Sequence, residues 1–370
     1  MKLVKFSYSE PGWEIKDLEL NDLNLIVGKN AVGKSRTLSL IDSLTLQIAV
    51  HLTSISDQKW EVELLNDQDK CITYCCEMRN QDDLLNIFEE LTVDGQLEMK
   101  RTPNQASLKN HLSQQFEIVH TDPTKLTLHE HRDIAKYPYF EDLIYWAETQ
   151  YEIRFSEISP SAWWQRQHHM FPDSRTLPSY YAELTAESSE RIKTQMNQVG
   201  FKISKIELQK FPRTVKEDSS LYIKGEQEDI VLFLKEDGIS EMFLHVKASQ
   251  GMFRTLSILI FLEYLISKKI SSLILIDDFC EGLDYERARK LGALVFKLCQ
   301  GSPIQLIATS NDSFLMDAVD IKHWNVLQRE GKTITSINYK NNQKLFDDFK
   351  FTGLSNFDFF SSNYLQKAEK

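Results

Sequence analysis

The sequence predicts an α/β protein: a largely parallel sheet covered by helices, split by an inserted helical lobe and carrying an antiparallel β portion. Three observations predict this. A glycine-rich loop, Gly28–Ser35, stands between a short apolar strand and a stretch of helical spacing. The last third alternates strand-like and helix-like segments, the pattern of parallel strands joined by crossover helices. The middle is rich in aromatic residues and helical in character, which reads as a lobe inserted between two halves of the core.

Residues 1–27 read as strands. Leu3, Val4, Phe6 and Tyr8 lead into the turn Glu10-Pro11-Gly12, a second run spans Trp13 to Leu20, and Leu23–Val27 ends directly at Gly28. From Ser35 to about His51, Leu38, Ile41, Leu44 and Ile48 recur at helical spacing. Strands are expected at Trp60–Leu65 and Cys71–Met78, within a mixed stretch that runs to about residue 120. Between about 130 and 200, Tyr137, Tyr139, Phe140, Tyr145, Trp146, Tyr151, Phe155, Trp163 and Trp164 are interspersed with Pro160, Pro172 and Pro178. The prolines cut this block into several short helices, and its aromatics read as a small core rather than a base-stacking platform. Strand character returns between 201 and 247, as in Ile230–Leu234. A helix at Gln250–Ser267, a strand at Leu273–Ile276, a helix at Tyr285–Cys299, a strand at Ile304–Ala308 and a short helix at Phe314–Val319 complete the pattern. The implied organisation is 1–125 for the first half of the core, 126–200 for the helical lobe, 201–340 for the second half and 341–370 for an extension.

Composition narrows the function. The chain has 370 residues, 42% hydrophobic and 26% charged, ordinary for a soluble globular protein. No apolar run approaches the roughly 18 residues of a membrane span; Leu256–Leu262 is stopped by Glu263. Met1–Phe6 lacks the features of a secretory leader, so the expectation is a cytoplasmic protein without a membrane partner. A net charge of −11 argues against a surface coated for nucleic acid, although a local patch stays open. Lys202, Lys205, Lys210, Arg213 and Lys216 cluster around a single acid, Glu207, and read as a solvated strand face. Five cysteines, Cys71, Cys75, Cys76, Cys280 and Cys299, match neither a disulfide framework nor a zinc spacing. His168-His169 and His129-x-His131 read as surface histidines rather than metal ligands.

Four segments carry the chemistry. Gly28-Lys-Asn30-Ala-Val-Gly33-Lys34-Ser35 is a P-loop pattern in its required strand–loop–helix setting. Its glycines let backbone N–H groups curl toward phosphate oxygens. Lys34 reaches the β- and γ-phosphates of ATP, and the Ser35 hydroxyl binds Mg²⁺. Leu273-Ile-Leu-Ile-Asp277-Asp278 is an apolar strand ending in two carboxylates. The first suits Mg²⁺, and the second suits the orientation or deprotonation of an attacking water. The other two segments are Ser249-Gln-Gly251-Met-Phe-Arg254 and Ala308-Thr-Ser-Asn311-Asp312.

Together these residues resemble the ABC-type ATPases. Asp277–Asp284 looks like their Walker B strand and D-loop, with Asp284 in the latter. Ser249-Gln250-Gly251 looks like the signature motif, and Asn311 sits where the family has its switch histidine. The long stretch between Lys34 and Asp277 resembles the RecF, SMC and OLD-like branch. The fold so implied is a P-loop NTPase, ABC ATPase-like core with an inserted helical lobe and an antiparallel β subdomain. The resemblance implies a homodimer closed head-to-tail around two ATP molecules, in which Ser249 and Gly251 face the nucleotide held by the other protomer. It also implies a bacterial role in anti-phage defence or DNA repair alongside a separate effector protein. Three departures stand out. Asp278 replaces the usual glutamate, Asn311 cannot take a proton, and Ala248 precedes the signature serine. Arg254 reads as a tie to neighbouring carboxylates rather than an arginine finger. Gln114 and Gln115 are the candidates for the family's Q-loop glutamine. An ABC transport ATPase coupled to a separate permease, and a nucleotide sensor with little turnover, are the rival readings. The tail after about 325 is too short for the nuclease domain of OLD-like proteins.

Overall fold

The computed structural model describes residues 1–50, 56–81, 84–159, 176–211 and 229–361. Trp163, Trp164, His168, His169, Arg213 and Lys216 lie outside these. The strands are β1 (Lys2–Glu10), β2 (Trp13–Glu19), β3 (Leu23–Val27), β4 (Gln58–Leu65), β5 (Cys71–Gln81), β6 (Leu84–Val93), β7 (Gln96–Thr102), β8 (Gln105–Asn110), β9 (Gln115–His120), β10 (Gln150–Arg154), β11 (Ile203–Phe211), β12 (Asp229–Glu236), β13 (Phe243–Leu244), β14 (Ser272–Asp277), β15 (Ile304–Thr309), β16 (Trp324–Glu330) and β17 (Thr333–Asn338). The α-helices are α1 (Lys34–Val50), α2 (Thr127–Glu130), α3 (Pro138–Glu148), α4 (Leu177–Ala182), α5 (Ala186–Val199), α6 (Gln250–Ser267), α7 (Tyr285–Cys299), α8 (Ser313–Ala318), α9 (Gln343–Lys350) and α10 (Asn356–Ser361).

Fourteen strands form one sheet in the order β10-β14-β15-β3-β16-β17-β2-β1-β4-β5-β6-β7-β8-β9, and β11-β12-β13 form a small second sheet. The sheet has two characters. From β10 to β16 neighbours are parallel, and from β2 through β9 every pair is antiparallel. The inner parallel strands are covered on both faces, so they are largely apolar; all five residues of β3 are buried, Asn24 being the polar one. Alternation sends their side chains to two cores. Leu25, Val27, Ile274, Ile276, Leu306 and Ala308 pack with α6 and α7. Ile26, Leu273, Leu275 and Ile307 pack with α1, α3 and the antiparallel wing.

A ladder of buried amides fixes the middle of the sheet. Asn325 donates to Asn24 Oδ1 at 3.1 Å, and Asn338 donates to Asn325 Oδ1 at 2.9 Å. Each amide satisfies the next across β3, β16 and β17, which pins their register at the strand that feeds the glycine loop.

The segment expected to be a helical lobe is not all helical. Its strand β10 joins the edge of the main sheet, parallel to β14. The physical reason is local: Tyr151, Ile153 and Phe155 alternate, and Ile153 and Phe155 are buried in the core shared with α6. The strand-like region 201–247 forms β11–β13, in which Lys205 pairs with Glu207 at the surface. Cys71 and Cys75 are half-buried and Cys76 is buried, all on β5. No helix among the described residues is long and apolar enough to cross a membrane.

Candidate functional site

The glycine loop is tight where it must be. A Cβ on Gly28 would lie 2.7 Å from Val32 Cγ1. Gly33 adopts φ +111°, and a Cβ there would lie 2.6 Å from the Trp13 ring. Ala31 also takes a left-handed φ of 62°, so the loop curls back before α1 begins. Thr37 then closes the first turn through its N–H and hydroxyl onto the Gly33 carbonyl, at 2.8 and 2.9 Å. The Trp13 ring that packs against Gly33 also meets two guanidiniums, Arg36 at 4.0 Å and Arg329 at 4.5 Å from its centroid.

Lys34 folds over this loop. Its Nζ donates to the carbonyls of Gly28 at 2.8 Å and Lys29 at 3.4 Å, and the residue is only 6% exposed. Burial pushes the ammonium's pKa down, while Asp278 and then Asp277 act in the opposite direction. The cation therefore sits among neutral carbonyls and faces two carboxylates. Asn30 and Ser35 are exposed beside it.

The carboxylates come from the end of β14. Thr309, fully buried at the end of β15, donates its hydroxyl to Asp277 Oδ1 at 2.6 Å and accepts the Asp278 N–H at 2.9 Å. One threonine thus fixes the Asp277 carboxylate and the Asp278 backbone. Sequence reasoning named its segment but missed this role; the signal was a hydroxyl at the end of a strand of the same parallel set. Asp278 has a left-handed φ of 48°, which aspartate tolerates better than most residues. Burial raises its pKa, Asp277 and Glu281 add to the shift, and Lys34 opposes it. The donor set of the Ser35 hydroxyl and the Asp277 carboxylate is all oxygen, which fits a hard divalent cation such as Mg²⁺. A buried ammonium with only carbonyl acceptors fits an added anion.

The remaining predicted residues lie at helix starts. Ser249 caps α6, accepting Met252 N–H at 3.4 Å, and is exposed. A Cβ on Gly251 would lie 2.9 Å from Leu283 Cδ2, so a larger residue there would have to displace the tip of that leucine. Asp284 caps α7, accepting Arg287 N–H at 3.1 Å and pairing with its guanidinium at 2.7 Å; these bonds to Arg287 hold its carboxyl below the usual range. Asn311 is exposed just beyond β15, next to Asp312, which caps α8.

Two expectations need correction. Arg254 binds backbone carbonyls rather than carboxylates: those of Ile158 at 3.1 Å, Glu281 at 2.7 Å and Ser156 at 2.5 Å. Its planar fork reaches two loops at once, and the buried setting favours neutral acceptors already fixed in place. Gln114 and Gln115 lie at the start of β9, the edge of the sheet opposite β10, so neither can serve the glycine loop. The strand end flanking Asp277 is instead that of β10, where Arg154 pairs in register with Asp277. His129 and His131 contact the carbonyls of Ile48 and His120.

No protein-family model matches the sequence, and no curated protein matches it. Solved structures do. The SMC head bound to the C-winged helix domain of ScpA superposes with a TM-score of 0.51 at 10% identity, covering 93% of this chain and 100% of that one. The SMC head domain from Thermotoga maritima gives 0.46 at 11% identity, covering 91% and 99%. The SMC head with an extended coiled coil, bound to the C-terminal domain of ScpA derived from Pyrococcus furiosus, gives 0.45 at 9% identity, covering 94% and 99%. The likeness is one of fold: this chain is built as an SMC head is, around a large mixed sheet.

Proposed function

We propose that the protein binds ATP with Mg²⁺ at Gly28–Ser35 and hydrolyses it, as an ABC-type ATPase on an SMC-head fold. One observation carries this reading: Lys34, Asp277, Asp278 and Thr309 converge at the carboxyl ends of β3, β14 and β15, where open α/β sheets take their ligands. Backbone N–H groups of the loop and Lys34 hold the phosphates. Ser35 and Asp277 would hold the metal, and the Thr309 hydroxyl fixes the Asp277 carboxylate. When bound, Mg²⁺ neutralises charge on the phosphoryl oxygens. Asp278 accepts a proton from water as that water attacks the terminal phosphorus; the bond to the bridging oxygen breaks and ADP and phosphate leave. Asp278 has a shorter side chain than glutamate, so turnover is slow. Asn311 donates its amide to a phosphate oxygen without exchanging a proton.

The same reading makes the enzyme a switch. Ser249 and Gly251 open a helix of 18 residues, and its positive end offers N–H groups to an anion. In a head-to-tail dimer that anion is the terminal phosphate on the other protomer, with Asp284 at the shared edge. A separate effector protein, in anti-phage defence or DNA repair, reads the closed dimer; the head bound to ScpA is a precedent for such a partner.

Two measurements test this. Asp278→Asn lowers phosphate release by roughly 10²–10⁴-fold, the usual worth of a general base, and accumulates an ATP-dependent dimer; parental turnover in that variant would place the base elsewhere. Mixing addresses the shared site. Aspartate caps a helix as well as serine does, so Ser249→Asp keeps α6 while turning a carboxylate toward the phosphate. Lys34→Ala and Ser249→Asp each fail to dimerise with ATP, but their mixture regains dimers holding one intact site. A mixture without ATP-dependent association by light scattering, across ratios, would exclude the head-to-tail arrangement.

A further inference from the structure

Arg154 ends β10, and its register partner across the parallel pair is Asp277. Ile276 in turn pairs with Ala308, so Thr309 is the next member of the row, as its 2.6 Å bond to Asp277 confirms. Alternation gives the facing. Ile153, Ile276 and Ala308 belong to the core beneath α6, so Arg154, Asp277 and Thr309 project to the opposite face. That face carries α1, whose Ser39 hydroxyl lies 3.5 Å from Glu152, two residues before Arg154 on the same side of the strand. Arg154, Asp277 and Thr309 therefore form one row at the carboxyl ends of adjacent strands, on the face where Lys34 and Ser35 begin their helix.

Arg154 is not committed to structure. Its guanidinium pairs with Glu157 at 3.3 Å and lies 4.0 Å from Glu152, with 43% of its side chain exposed. Such surface pairs contribute little to stability. The backbone beneath it is fixed, however, because Arg254 from α6 grips the carbonyls of Ser156 and Ile158 just beyond. An exposed fork on an anchored strand end suits a ligand that arrives and leaves. Charge selects the ligand. Asp277, Asp278, Glu281, Glu152 and Glu157 surround this corner, so a polyanion seated over Lys34 needs a second cation. Guanidinium geometry matches two oxygens of one phosphate.

We propose that Arg154 contacts the terminal phosphate of the bound nucleotide and so selects triphosphate over diphosphate; this rests on the reading of Gly28–Ser35 as a nucleotide site. The glycine loop and Lys34 serve both nucleotides, whereas Arg154 serves only the one with the third phosphate.

The test compares the parent, Arg154→Ala, Arg154→Gln and Arg154→Lys, titrated by calorimetry with Mg²⁺ plus either ADP or a non-hydrolysable ATP analogue. The side chain is largely outside the core, and thermal melting checks that each variant is folded. Arg154→Ala and Arg154→Gln should lose roughly 10- to 100-fold in affinity for the analogue, the worth of a charge-assisted hydrogen bond, with ADP affinity within about twofold of the parent. Arg154→Lys should recover part of the loss. An unchanged analogue affinity, or an equal loss for ADP, would overturn the proposal while leaving the nucleotide site standing. A parent that binds neither nucleotide would overturn both.

Discussion

Lys34 and Arg101 are both nearly excluded from solvent, at 6% and 1% exposure, but in opposite halves of the sheet and in unlike company. Arg101 lies in the antiparallel wing with both terminal nitrogens engaged and its charge met by Glu89, while its Nε has no partner among the described residues. Its Nη1 pairs with Glu89 at 2.8 Å and also meets the Lys125 carbonyl, and its Nη2 donates to the Asp122 carbonyl at 2.8 Å. Glu89 in turn accepts from Tyr74, from the Thr127 N–H at 2.9 Å and from the Thr127 hydroxyl at 2.6 Å. The network ties Asp122, Lys125 and Thr127 to the wing and sets the guanidinium directly against its counter-charge. Lys34 has two loop carbonyls, and its counter-charges Asp277 and Asp278 act on it from the strand ends. A buried charge in direct contact with its counter-charge holds a fold together. One held by carbonyls beside a tight glycine loop is arranged for an anion that comes and goes.

Breaking the comparison on the closed side should have the larger effect on stability. Arg101→Ala leaves Glu89 buried and unpaired, so unfolding free energy should fall by about 3–5 kcal/mol, measured by urea denaturation. A loss below about 1 kcal/mol would show that water enters the wing and that the pair is not closed. The double replacement Glu89→Leu with Arg101→Met sharpens the point. It removes both charges at similar volume and should recover most of the loss; failure to do so would assign the cost to shape rather than charge. On the open side, Lys34→Met should shift stability by less than about 1 kcal/mol, because the loss of two carbonyl bonds is offset by relief from burying the ammonium. A large destabilisation there would make Lys34 a structural cation like Arg101.

The contrast also explains what could be read in the sequence. The parallel half was legible because each element announced itself: an apolar strand, then a glycine loop or a pair of acids, then a capped helix. The expected span Gln250–Ser267 is the observed α6, and Tyr285–Cys299 is α7. The wing was harder to read because its charges sit in core positions. On β6 the buried row is Ile87, Glu89, Leu91 and Val93, and on β7 both Glu98 and Arg101 are buried. Charged residues at those sites erase the period-two signal that marks a half-buried strand. Strand β10 was hidden differently. Its five residues lie among aromatics that resemble a helical block, and only the Tyr151-Ile153-Phe155 alternation betrays it. Missing that strand meant missing Arg154. The acids, Lys34 and the glycines could be named from spacing alone, whereas Thr309 as their organiser required the register of β14 on β15.

The central claim is that Lys34 is poised for the phosphates of a nucleotide. Calorimetric titration of Mg²⁺-ATP into the parent and into Lys34→Ala tests it most directly. The account predicts saturable binding by the parent and a loss of about 1.5–3 kcal/mol or more in the variant, the worth of a charge-assisted contact, with both proteins equally folded. Equal affinity in the two, or no binding by the parent, would contradict it.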